Sequence, residues 1–375
     1  MSAVTTPSAQ SGAEYDRARE LVLEYGWNST AYQILNPGFE LWFSRLHPAV
    51  VGYVRAGGRR VVGGAPVAAD ADLRDVAEEF ERDAGVAHAG VVYFGAEERL
   101  EALYRGTKTH SAILLGAHPS WDPADWARII ATHSSLRAQL NRARNKGVSV
   151  ALWPSDRAEH NPELKTLLQE WLGTRGLPPL HFLVEPETLG NLRDRRVFVA
   201  TRDEVPVGFL VASPIPARRG WLTEQFVRGH GAPNGTAELM IDSAVRWVAE
   251  QRADYVTLGL APLSTRGGDL TSHSLLIQIG FKWVRAHGRR FYNFEGLDSF
   301  KAKFAPERWE AVFALANESR FSIRSLYAIG SAFTEGRPFS TVARGLVQAG
   351  RQEMRWMRRS GERGYGESRT PESHR

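Results

Sequence analysis

The chain of 375 residues contains no cysteine. That excludes disulfides, thiolate zinc sites and a cysteine nucleophile. No apolar run approaches the roughly 18–20 residues needed to cross a bilayer. The first residues, Met1 to Ala13, carry neither a charged n-region nor an apolar core, so they do not read as a secretory signal. The eleven histidines show no His-x-x-x-His or His-Glu-x-x-His spacing, so no metal is expected. Gly-x-Ser-x-Gly, Walker and Rossmann patterns are also missing, and with them the motif-level grounds for a serine hydrolase, a P-loop nucleotidase or a dinucleotide enzyme. No cofactor is expected, and a cytoplasmic setting fits.

What is present is ordinary globular composition, 43% hydrophobic and 24% charged. The length exceeds what one hydrophobic core usually serves, so two domains are the starting expectation. A net charge of +5 permits an anionic partner such as tRNA, a phospholipid headgroup or a nucleotide phosphate, without choosing among them.

Along the chain, residues 1–14 read as a disordered tail and Tyr15 to Glu24 as a short helix. Val50 to Arg55 and Arg59 to Val62 are β-prone runs around Ala-Gly-Gly, a hairpin signal. An amphipathic helix over Asp72 to Ala84, a strand at Val91 to Phe94, a helix at Glu97 to Tyr104 and a strand at Ile113 to Leu115 follow. Asp125 to Lys146 is the longest helical pattern, stopped by Gly147. Its polar face carries Arg128, Arg137, Arg142, Arg144 and Lys146, either a solvated basic face or a phosphate-contacting one.

After a strand at Val148 to Trp153, the stretch Pro154 to Pro162 reads as a linker, dividing the chain into units 15–153 and 154–318. The second unit reads as a helix, a hairpin around Asp203-Glu204, a strand at Trp221 to Val227, a helix at Ala237 to Gln251 and a strand at Tyr255 to Leu260. A short helix at Ser272 to Ile279 and a strand at Phe281 to Ala286 close it. This is the element order of the acetyltransferase-like (GNAT) fold, and the first unit has a looser version of it. The expected fold is therefore α/β (α+β), a tandem of two GNAT-like domains with mixed, mostly antiparallel sheets. Residues 319–360, with eight arginines against Glu335 and Glu353, read as a basic helical extension. It either packs with its arginines outward or lies on a membrane surface. Residues 361–375 read as a disordered tail.

In a GNAT fold the turn after the fourth strand presents backbone N–H groups at a helix N-terminus, suited to a phosphate or an oxyanion. Here that turn runs from Arg228 to Gly235, longer than an acyl-CoA turn and interrupted by Pro233, which lacks a donor. Glu224 reads as a candidate base or ammonium ligand. Glu238 is a candidate ligand or simply a helix-dipole partner, and Asn234 a turn or cap residue.

APNGTAELMI (Ala232 to Ile241), LGLAPLS (Leu258 to Ser264) and FYNFEGLDSFKAKFAPERWEAVFALA (Phe291 to Ala316) resemble the catalytic domain of bacterial phosphatidylglycerol lysyltransferases, the multiple-peptide-resistance factor family. RRVVGGAPVAADADL (Arg59 to Leu73) and LRAQLNRARNKG (Leu136 to Gly147) extend the similarity to roughly Tyr25 to Ala316. The resemblance implies two tandem GNAT-like domains and transfer of an aminoacyl group from aminoacyl-tRNA to a lipid hydroxyl, of phosphatidylglycerol or diacylglycerol type. It implies catalytic roles for Glu224, Lys301 and Lys303, and substrate binding by Arg228, Asn234, Gly235 and Glu238. The aminoacyl pocket would lie between the Pro-Asn-Gly turn and the lysine-bearing block.

Arg137, Arg142, Arg144 and Lys146 are the candidate tRNA contacts, and 320–360 the candidate membrane contact on the inner face of the cell membrane. Two departures stand out. The family's preceding multi-helix membrane domain is not expected here. The family's Asp-x-x-Arg run reads Glu224-Gln-Phe-Val227, without its arginine, and Arg228 next door is the candidate replacement. A GNAT-fold N-acyltransferase using acyl-CoA, and a tRNA- or membrane-binding module without activity, are the alternative readings.

Overall fold

The computed structural model describes residues 12–173, 182–183, 185–268 and 294–334. The expected helix at Ser272 to Ile279, strand at Phe281 to Ala286, most of the 319–360 extension and the C-terminal tail lie outside the described residues. The helices, in chain order, are α1 (Gly12–Tyr25), α2 (Leu73–Val86), α3 (Glu98–Tyr104), α4 (Trp126–Thr132), α5 (Ser134–Asn145), α6 (Ser155–His160), α7 (Pro162–Gly173), α8 (Thr236–Glu250), α9 (Phe294–Ala302) and α10 (Ile323–Phe333). The strands are β1 (Glu40–Phe43), β2 (Val50–Ala56), β3 (Arg59–Gly63), β4 (Gly90–Glu97), β5 (Ser111–Trp121), β6 (Val148–Trp153), β7 (Arg196–Arg202), β8 (Val205–Ile215), β9 (Gly220–Arg228), β10 (Tyr255–Thr257), β11 (Ala261–Pro262) and β12 (Arg308–Ala316).

All twelve strands join one sheet in the order β1-β2-β3-β4-β12-β5-β10-β9-β8-β7-β6, with β11 on β5. The mixed, mostly antiparallel α/β architecture is the one the element order implied. Among the described strands two pairs are parallel, β3 with β4 and β9 with β10. Each is joined through a helix, α2 in one half and α8 in the other, so the same strand–helix–strand pattern occurs in both. The hairpin turns follow from their sequences: Gly57 and Gly58 both take positive φ, as a two-residue primed turn requires. Asp203 and Glu204 do the same between β7 and β8.

The halves exchange strands at the centre. β12, from the end of the chain's second half, pairs with both β4 and β5, while β5, from the first half, pairs with β10. β6 pairs with β7, on the second half's side of the sheet, and not with its sequence predecessors. The sheet therefore changes hands before residue 154.

The long helix expected over Asp125 to Lys146 is two helices. His133 takes an extended conformation between α4 and α5, and its ring bonds the Ile129 carbonyl. Arg137 donates to the carbonyls of Ile130 and Ala131, so the end of α4 is capped by a side chain from α5. At the chain's start α1 already begins at Gly12, inside the expected tail. One apolar cluster, including Trp121, Trp126, Leu140, Met240, Val245 and Phe304, joins α4, α5 and α8 to the second half of the sheet.

Candidate functional site

The parallel pair of β9 and β10 holds only from Gly220↔Tyr255 to Leu222↔Thr257. Beyond it β9 continues to Arg228 against β8, while the chain after β10 turns away at Gly259, with φ +70°, to form β11 on β5. The two strands diverge and leave a cleft, and among the described residues no strand pairs with Gly259 or Leu260 on its β10 side. Block α9 fills it. Lys301 donates to the carbonyls of Gly259 at 2.7 Å and Leu260 at 2.8 Å, supplying the donors that the departed strand no longer offers. Phe300 stacks on Phe226 of β9 at 5.7 Å between centroids, and Phe304 packs on Trp126.

Lys301 is almost completely enclosed, 3% exposed. Burial lowers its pKa to about 7, and only Asp298 pulls the other way. A neutral amine has two N–H groups and one lone pair. Both donors are spent on the two carbonyls, which leaves the lone pair as a base.

Lys303, just past the end of α9, reaches Glu238 Oε1 at 2.5 Å, with its ammonium 4.1 Å from the Phe300 ring centre. Glu238 is buried in the first turn of α8, whose N-cap is Gly235 at φ +96°. A β-carbon at Gly235 would lie 2.2 Å from the Gln139 carbonyl oxygen, so α5 rests directly on the Pro-Asn-Gly turn. Asn234 is exposed on that turn. The expected two walls, the α8 turn and the lysine block, thus meet through Glu238 and Lys303.

Glu224 is engaged elsewhere. In the β8–β9 register Val211 faces Gln225 and Ala212 faces Thr223, so Glu224 is the extra residue of a β-bulge. Its carboxylate takes a two-pronged bond from Arg195, at 2.8 and 3.0 Å. Arg195 is fully buried and also donates to Asn36 Oδ1 and the Asn191 carbonyl. The bulge shifts the strand's alternation. Val227 points into the apolar cluster with Leu164, Leu168 and Phe209, whereas Phe226 points towards α9, and Arg228 shares that face by alternation. Arg228 is exposed and has no ion pair among the described residues.

Of the candidate tRNA contacts, Arg142, Arg144 and Lys146 are exposed on the last turn of α5 and just beyond it, while Arg137 caps α4. Arg144 bonds Asp242 of α8 at 3.0 Å.

Sequence reasoning did not find Arg195, nor a second buried polar cluster where the halves meet. There, Glu310 of β12 accepts from Ser120, Arg218 and Tyr255 and contacts His118 Nε2 at 3.2 Å. Arg218 also bonds Glu97. Burial alone would raise the Glu310 carboxyl, but hydrogen bonds from His118 and Arg218 bring it well below the usual carboxylate range. Glu97, His118 and Glu310 have ligand atoms within 4.8 Å of one another. Arg218 sits between the two carboxylates and already supplies the positive charge that a metal would bring. The strand alternation His118-x-Ser120 was visible, but its partners lie more than a hundred residues away.

A splayed parallel strand pair with a helix N-terminus at its mouth is the strand–helix–strand arrangement of an acetyltransferase-like fold. Residues 19–316 match the family described as phosphatidylglycerol lysyltransferase, C-terminal, and the chain belongs to that family. It is 24% identical over 319 residues to a phosphatidylglycerol lysyltransferase of Bacillus subtilis (strain 168), covering 82% of this chain and 36% of that protein. An uncharacterized Corynebacterium glutamicum protein is 24% identical over 321 residues, 80% of this chain and 39% of that one. The chain therefore spans little more than a third of the length of these relatives.

Among solved structures, the C-terminal domain of a putative lysylphosphatidylglycerol synthetase from Agrobacterium fabrum shares the fold. Its TM-score is 0.73 at 20% identity, covering 87% of this chain and 99% of that one. L-PGS from Bacillus licheniformis follows at 0.68 and 22%, covering 84% and 93%. No helix among the described residues is long and apolar enough to cross a membrane.

Proposed function

We propose that this chain transfers an aminoacyl group from aminoacyl-tRNA to a hydroxyl of a membrane lipid of phosphatidylglycerol or diacylglycerol type, working at the inner surface of the cell membrane. The observation that carries the reading is the closed cleft, in which Lys301 and Lys303 of one block meet the diverging strand and the Pro-Asn-Gly helix.

In this reading the acceptor hydroxyl gives its proton to the Lys301 amine as its oxygen attacks the ester carbonyl. The carbonyl oxygen gathers negative charge at the α8 N-terminus beside Lys303, and Arg228 faces the same cleft to receive the anionic tRNA end. Collapse breaks the ester bond to the terminal ribose, whose oxygen takes the proton back. Asn234 lies at the rim of the pocket.

An acyl-CoA reading is disfavoured by two features. Gln139 covers the Gly235 side of the turn, and Pro233 leaves that turn one backbone donor short. The test is incubation with a pool of radiolabelled aminoacyl-tRNAs and vesicles of phosphatidylglycerol with diacylglycerol, followed by extraction of the lipid. Labelled lipid is expected, and its identity names the amino acid and acceptor. Salt-sensitive tRNA binding with no label in lipid would refute the transfer.

A further inference from the structure

One carboxylate in α8 does more than the ion-pair count requires. Asp242 is 1% exposed, yet it serves three donors. Its Oδ1 accepts from Trp126 Nε1 at 2.9 Å and from Arg246 Nε at 3.0 Å, and its Oδ2 from Arg144 Nη2 at 3.0 Å. One arginine would balance the charge. The second leaves the cluster at net +1, and both arginine side chains stay close to half exposed, at 47% and 44%.

Each arginine spends a single N–H on Asp242. Among the described residues no other acceptor takes the remaining donors of either. The cluster is therefore two guanidiniums fixed at one end by a buried anion and open at the other, the arrangement that two-pronged recognition of a phosphate oxygen pair needs.

Its location points to the ligand. Asp242 follows Glu238 by four residues of α8, about 6 Å along the axis, so the anchored ends of the two arginines lie about one turn beyond the Glu238–Lys303 pair. Arg142 and Lys146 stand exposed on the same end of α5 as Arg144, extending the positive field.

We propose that Arg144 and Arg246, held by Asp242, form a clamp for a backbone phosphate of the aminoacyl-tRNA, adjacent to the site where its aminoacyl end reacts. The assignment rests on the aminoacyl-tRNA reading above, and Arg246 has no counterpart among the residues picked out from the sequence.

The experiment is fluorescence anisotropy with labelled deacylated tRNA and the full chain across a potassium chloride series, using Arg144→Ala, Arg246→Ala, Arg246→Lys and Asp242→Asn. Each alanine variant should bind roughly five- to twentyfold more weakly at low salt, and its slope of log K against log salt should fall by about 0.7 to 0.9, one phosphate contact. Thermal unfolding should stay near wild type, because Asp242 keeps two of its three donors. Arg246→Lys should recover part of the affinity, since a lysine supplies charge without the fork.

Asp242→Asn separates a clamp from a diffuse basic surface. It raises the net charge by one, so simple charge attraction would strengthen tRNA binding, whereas loss of the anchor weakens it. Wild-type affinity and slope in both alanine variants would overturn the clamp, as would tighter binding by Asp242→Asn. So would weaker binding of phosphatidylglycerol vesicles in the alanine variants with tRNA binding intact, which would assign the arginines to the membrane. Lipid labelling by the wild-type chain is scored separately. A chain that binds tRNA through these arginines but labels no lipid would sink the transfer reading and leave the clamp standing.

Discussion

Replacing Lys301 by methionine tests the site where structure and chemistry meet most closely. Burial holds the folded-state pKa near 7, against 10.5 for an ordinary lysine. Between those values the unfolded chain binds a proton that the folded chain does not, so stability rises with pH through this window and the term is absent below it. The slope approaches about 1.4 kcal/mol per pH unit. Between about pH 7.5 and 9.5 the wild type should therefore gain roughly 2–3 kcal/mol on Lys301→Met, which cannot titrate. Methionine also strands the Gly259 and Leu260 carbonyls, a constant cost of about 1–3 kcal/mol.

Urea unfolding of both proteins across this range measures the difference directly. A difference that stays flat with pH would mean that Lys301 does not titrate near neutrality and is not the base. The activity side follows from the same proton: wild-type turnover should rise with pH through about 7. Lys301→Arg, charged at every accessible pH, should be inactive while still able to donate to both carbonyls.

Substitutions at four further sites have outcomes that the geometry dictates. Gly235→Ala must hold a left-handed residue while its β-carbon meets the Gln139 carbonyl, so thermal unfolding should register a loss of about 1–3 kcal/mol or more. Arg195→Met, leaving Glu224 buried without its partner, should cost roughly 3–5 kcal/mol. The Glu224→Gln, Arg195→Met double variant should cost clearly less than the sum of the singles, since the pair acts as a unit. Arg228→Ala should lower turnover with stability unchanged. Val227→Arg, which would restore the family spacing, should unfold the protein by forcing a guanidinium into an apolar cluster. A stable, more active Val227→Arg would show that the bulge-shifted alternation is wrong.

Local signals carried much of this molecule. The paired glycines at 57 and 58 announce the β2–β3 hairpin because few other residues accept two positive φ angles in succession. The periodicity of α2 and α8 was readable because each buries one apolar stripe. The Pro-Asn-Gly turn and the Lys301–Lys303 block were found as motifs, and the family resemblance set them on opposite sides of one pocket; the Glu238–Lys303 contact that joins them is seen only in the structure. What sequence could not supply was partnership at long range. Nothing local to Arg195 indicates that it lies against Glu224, since a bulge two strands away determines where that carboxylate points. The break at His133 was hidden because Ile129, Ile130, Leu136 and Leu140 keep helical spacing across it. Arg137 looked like one more member of a basic face, although its guanidinium is committed to the carbonyls ending α4.

The strand exchange explains why a cut in the middle of this chain would fail in a particular way. A segment starting at residue 154 would lack β5, so β10 would lose its antiparallel neighbour and β11 would have no strand to pair with. It would also lack α4 and α5, and with them Trp126 against Phe304 and the Gln139 carbonyl over Gly235. The carbonyls that Lys301 caps belong to the short connection between β10 and β11, and both of those strands rest on β5. The candidate site sits wholly in the second half by residue number, yet its geometry depends on the first half. The two halves therefore share one sheet, with β5 and β12 as the common wall behind the cleft that α9 fills.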